Sequence, residues 1–187
     1  MKTNFVLTSI FIASGIFISG IPSSSEKAVS SSLPVENASP IGTAYIIIDK
    51  SDYELHVYDD KGWYATYPVV FGNSSLADKK MEGDKNTPEG SFKIVSKRIH
   101  EKWHRFMAID YPTKESWDKF NLRKQRGEIP ANARIGGSIG IHGTWPHEDF
   151  QIDRYRNWTL GCISMKNSDV QELYRYINSG TKVIIRR

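Results

Sequence analysis

The stretch GTAYIIIDKSDYELHVYDDKGWYATYPVVF, residues 42–71, decides the fold class. Residues 43–48 are a β-branched run and 49–52 a turn cluster. Over 54–58, Leu55 and Val57 alternate with polar neighbours, the two-residue period of a half-buried strand. A second turn at 59–62 leads into a third strand over 63–71.

Downstream, Gly83-Asp84-Lys85-Asn86-Thr87-Pro88-Glu89-Gly90 has turn chemistry, and a fourth strand is predicted over 91–96. Residues 106–109 read as a strand, and 115–124 as a short helix with Trp117 and Phe120 on one side. Residues 138–142 and 162–165 read as core strands. One helix is sharply marked, because Val170, Leu173, Tyr174 and Ile177 fall at i, i+3, i+4 and i+7. Ser168 and Gln171 fit a capping box, and Gly180 suits the stop. Residues 181–185 close as a strand. The expected class is mainly β with one or two helices (α+β), largely antiparallel, without βαβ alternation.

Upstream, Lys2 precedes an uncharged apolar stretch over 5–21, followed by Pro22 and a serine run. That order describes a secretory signal peptide over 1–22, with an N-terminal membrane anchor as the rival reading. Residues 23–40, rich in Ser, Pro and Ala, read as a flexible linker to a domain over 41–187. The expected location is outside the cytoplasm, in the periplasm or cell envelope. Lysine and arginine total 25 against 21 acids, a net charge of +4. So mild an excess, without a Lys/Arg block, gives no reason to expect nucleic acid; it suits anionic polymers or carboxylate-bearing substrates.

Cys162 is the sole cysteine. In an exported chain it is a buried inert thiol, an intermolecular bridge or a reactive group. Ile163 and Met165 share one strand face, leaving Cys162 with Ser164 on the other, and Gly161 permits close backbone approach. His142 also alternates away from Ile139 and Ile141, with Gly140 and Gly143 flanking it. An imidazole beside a thiol can activate it through a thiolate–imidazolium pair; a lone histidine can equally be a structural hydrogen-bonder. Gly136 to Gly140 matches G-x-S-x-G, but no helix pattern follows Ser138 and no acid-then-histidine order is present. His147-Glu148-Asp149 reads as a solvated loop, and no metal site is expected.

Three motifs then occur in order: G-D-x-x-T-P-x-G-x-F from Gly83, I-H-G-T from Ile141, and T-x-G-C ending at Cys162. Together they resemble the L,D-transpeptidase catalytic domain of bacterial cell-wall enzymes, over residues 43–187. Residues 133–143 and 157–159 are similar to its murein-peptide branch, which holds both transpeptidases and hydrolases. The resemblance implies a sandwich-like β domain acting on peptidoglycan stem peptides without a cofactor. It implies Cys162 as nucleophile, His142 as general base, Gly143 as its backbone orienter and Gly161 in the oxyanion hole. It also implies acylation by carbapenems. Thr159 holds the family's small hydroxyl position; Thr159, Ser164 and, by charge alone, Arg134 are candidate substrate contacts, with Arg154 and Arg156 beside Arg134. Leu160 and Ser164 depart from the family, which often has histidine and Arg or Asn there. The expected activity is transfer of a thioester-bound stem to an amine; alternatives are a hydrolase of crosslinks or wall-anchored proteins, and a non-enzymatic peptidoglycan-binding module.

Overall fold

A computed structural model describes residues 39–187. The expected export segment, and the linker up to residue 38, lie outside the described residues. The strands are β1 (Tyr45–Asp49), β2 (Glu54–Asp59), β3 (Gly62–Pro68), β4 (Gly90–His100), β5 (His104–Ile109), β6 (Gly140–His142), β7 (Ile163–Ser164) and β8 (Lys182–Arg186). The helices are α1 (Lys114–Gln125), α2 (Phe150–Asp153) and α3 (Asn167–Tyr176).

Hydrogen bonding orders the strands β3-β2-β1-β8-β4-β5-β6-β7. All neighbours are antiparallel except β1 with β8 and β6 with β7. The α+β expectation holds, with a third, four-residue helix added. The long strand β4 joins the two halves: residues 90–93 pair with β8, and residues 94–100 pair with β5. Ile46, Ile48, Leu55 and Val57 from one half meet Met107, Ile141 and Ile163 from the other in one apolar core. Helix α3 lays Val170 and Leu173 on that core, followed by Ile177, all fully buried. Such burial contributes about 1.5–3 kcal/mol per large side chain.

Several boundaries move for identifiable reasons. Strand β3 stops at Pro68, which has no N–H to continue a ladder. The chain beyond it bridges to β7 instead, Val70 exchanging backbone bonds with Ser164 at 2.8 and 2.9 Å. Strand β4 runs four residues past its predicted end, because a register shift between Ile94 and Ser96 breaks the alternation and turns Val95 and Ile99 outward. The predicted capping box of α3 is absent. The N-cap is Lys166 without a side-chain cap bond; Ser168 lies inside the helix, its hydroxyl bonded to Asp169. The helix ends before Ile177, and Gly180 (φ +92°) makes the later turn into β8.

Candidate active site

Strands β6 and β7 run side by side and pair His142 with Ser164. Cys162 therefore stands just before β7, beside the glycine-rich entry to β6, and its thiol donates to the Ser138 carbonyl at 3.5 Å. Cys162 and His142 open onto one cavity of about 320 Å³, walled by Trp103, Phe106, Ile139, Trp158 and Leu160. A larger groove of about 1050 Å³, near Tyr176, Asn178 and Thr181, contains no nucleophilic cysteine or histidine.

His142 is enclosed, not merely turned from the apolar face, with 1% of its surface exposed. Its ring stacks on Trp103 (4.7 Å between centroids) and on Phe106 (5.9 Å), with Trp158 edge-on at 5.5 Å. Nδ1 lies 2.7 Å from the Gly143 carbonyl. A carbonyl only accepts, so Nδ1 carries the proton and the neutral ring keeps its lone pair on Nε2. Gly143 is fixed in turn: its N–H donates to Trp103 O, and a side chain here would strike Asn167 Oδ1 at 2.2 Å. Asn167 Oδ1 accepts from the Thr144 N–H, while Asp149 Oδ1 accepts from the Thr144 hydroxyl and the Asn167 N–H. Asp149, half-buried, is thus a pin under the histidine loop, while His147 stays exposed.

Burial pushes the Cys162 thiol up, against a bond from the Gly140 N–H and the charge of Lys79. Burial pushes His142 down to about 4, against the Gly143 bond and with repulsion from His100. Both shifts favour neutral forms, so the resting site holds thiol and imidazole, not the ion pair expected from proximity alone.

The turn before Cys162 is tightly drawn. Gly161 has φ +128°, and a side chain there would meet Asn86 O at 2.8 Å. Thr159 donates from its hydroxyl to Cys162 O (2.8 Å) and accepts from the Gly161 N–H (3.2 Å). Thr159 lines the cavity, but its hydroxyl is engaged within the turn. Ser164 is fully buried and donates to Gly143 O at 3.3 Å, so it supports the histidine loop instead of facing a ligand. Arg134 lies outside this cavity, in a groove that shares Gly137 and Ser138 with it, and pairs with Glu82 at 3.2 Å. Arg154 and Arg156 do not line the cavity either.

The turn Gly83–Gly90 forms the rear support. Lys50, 2% exposed, pairs with Glu89 at 2.6 Å; Lys79 pairs with Asp84 at 2.8 Å; Arg123 of α1 pairs with Asp78 at 2.7 Å. Asp84 also accepts from the N–H groups of Lys80, Met81 and Asn86. Burial alone would raise its pKa, but these bonds hold it below the usual carboxylate value. The residues that sequence reading missed are Lys50, Lys79, Arg98 and Trp103. Trp103 and Arg98 line the cavity, on a hairpin whose pattern the β4 register shift obscures.

Comparison with known proteins matches residues 43–185 to the L,D-transpeptidase catalytic domain model. The chain belongs to the L,D-transpeptidase catalytic domain family. It is 30% identical over 155 residues to a Bacillus subtilis (strain 168) protein named "Putative L,D-transpeptidase YqjB", covering 80% of this chain and 74% of that one. Among solved structures it resembles the helical cell shape determining protein Pgp2 of Campylobacter jejuni (TM-score 0.55, 23% identity, 78% of this chain and 48% of that one). It also resembles an Enterococcus faecium L,D-transpeptidase C442S mutant (TM-score 0.51, 19% identity, 78% and 50%). The chain thus spans about half the length of these two structures. They share the L,D-transpeptidase fold with this chain.

Proposed function

We propose that this chain is an exported peptidoglycan L,D-transpeptidase in which Cys162 takes up a stem peptide as a thioester and passes it to an amine. The observation that carries this reading is the shared apolar cavity of Cys162 and His142, with Nδ1 of the base held by Gly143.

Because the resting groups are neutral, proton transfer accompanies attack. The thiol leaves the Ser138 carbonyl, Nε2 of His142 takes its proton, and sulfur bonds to the scissile carbonyl carbon. The carbonyl oxygen becomes an oxyanion. The Gly161 N–H is engaged by Thr159, so the Cys162 N–H is the first donor to it, with Gly161 joining when that 3.2 Å bond opens. Collapse breaks the C–N bond, and the imidazolium returns its proton to the departing amine. An acceptor amine then adds to the thioester, loses a proton to His142 and expels the thiol. No step calls for a cofactor. Peptidoglycan stem peptides are the proposed partners, in the cell envelope.

Incubation of the protein with purified muropeptides, followed by mass spectrometry, tests the reading. Crosslinked products are expected. Trimmed monomers would make the chain a hydrolase, and unchanged muropeptides would leave a binding module.

A further inference from the structure

Arg98 is the one charged side chain lining the Cys162 cavity, and the remaining walls are largely apolar or aromatic. Its position follows from strand register. Arg98 on β4 pairs with Phe106 on β5, and Phe106 pairs with His142 on β6, so the three form one row across the sheet. Two strand spacings separate Arg98 from His142 in that row, about 10 Å at about 4.8 Å each. The guanidinium lies over the Phe106 ring, 4.7 Å from its centroid. Among the described residues no carboxylate pairs with it. Trp103 and Trp158 also line the cavity, and their indole N–H groups are buried without an acceptor. A cavity whose one charged group is an unpaired guanidinium, with no lining acid, favours a ligand that brings negative oxygen atoms.

We infer that Arg98 receives a carboxylate of the stem peptide and so sets which donors reach Cys162. This rests on the proposed acyl transfer. A guanidinium suits the task because its planar fork meets a carboxylate with two parallel bonds, and its weak hydration lets it rest on an aromatic face. A stem peptide offers two such groups: the C-terminal acid of the residue to be displaced, and an acid on the side chain of the residue that is acylated. Arg134, Arg154 and Arg156 are set apart from this role by lying outside the cavity.

The test uses the full chain and three synthetic stem peptides: the free diacid, the C-terminal amide and the side-chain amide. Release of the displaced amine gives kcat/KM for each. For the wild type, one amidation should lower kcat/KM by about 10- to 100-fold, mainly through KM, as expected for a lost charge-assisted bond; which amide is penalised identifies the carboxylate. In Arg98→Gln that penalty should vanish, and Arg98→Lys should keep part of it. Arg98 is exposed, so both variants should fold, which thermal melting checks. The inference is overturned if Arg98→Gln keeps the wild-type penalty, or if the wild type penalises neither amide. Should the wild type release no amine from any stem peptide while iodoacetamide still alkylates Cys162, the transpeptidase reading itself fails, and this inference with it.

Discussion

Behind the Gly161–Cys162 turn, Lys50, Lys79 and Arg123 each meet a carboxylate within 2.8 Å; in front of it, Arg98 meets only the face of Phe106. The rear wall also fills Asp84 with backbone donors and leaves one orphan, the Thr87 hydroxyl. The front wall leaves two indole N–H groups without acceptors. A paired wall stores its electrostatics in the fold and holds the backbone of Cys162 still. The front wall leaves its one cation solvated and free to meet a ligand. The difference separates residues whose loss should unfold the protein from residues whose loss should silence it.

The largest expected effect lies at the junction of the two walls. A carbapenem is expected to add its mass to the wild-type chain, and Cys162→Ala should abolish that adduct with little change in melting temperature. An adduct surviving on another residue would move the nucleophile elsewhere. On the rear wall, Asp84→Ala should destabilise by about 3–5 kcal/mol, because it strands the buried Lys79 charge; urea denaturation measures this. A loss below about 1 kcal/mol would mean that the rear wall is no firmer than an ordinary surface.

Next comes His142. Unfolded, it titrates near 6.5; folded, at about 4. Between those values the unfolded chain binds the extra proton, so stability is full above pH 6.5 and falls as pH drops towards 4, by about 3 kcal/mol. His142→Gln should flatten that slope in urea melts taken across the same range. An unchanged slope would assign it to other groups. The smallest effect is expected at the cavity mouth, where Leu160 is 74% exposed. Leu160→His should alter stability by no more than about 0.5 kcal/mol, so any change in acyl transfer would report on ligand contact. A larger shift in melting would show that Leu160 packs against the front wall.

Local patterns carried much of the fold into view. A β-branched run marked β1, alternation marked β2, and the stripe through Val170, Leu173 and Ile177 marked α3, because each signal is local. Strands β6 and β7 were expected over 138–142 and 162–165 but pair over only three and two residues, because partner strands, not local pattern, set their length. The burial of Lys50 depends on Glu89, 39 positions on, and leaves no trace in local hydrophobicity. The candidate nucleophile and base were legible as motifs. Their neutral resting state was not, since it arises from burial under side chains such as Trp103, distant from both in the chain, and Trp158, distant only from His142. Ser164 looked like a ligand contact by alternation, but the bridge from Val70 covers it.

The central place of β8 bears on how the molecule is made. Strands β1 and β4 have no common neighbour except this one, and Arg186 reaches Asp49 across 137 positions of chain. During synthesis the hairpin of β1 and β2 can form early, as can that of β4 and β5. The Val70–Ser164 bridge can already link the halves, but the sheet is continuous only once residues 182–186 appear, so its completion waits on a long-range closure of the kind that slows folding. A nascent chain that already carries Cys162 and His142 therefore still lacks the strand that sets them in a finished sheet.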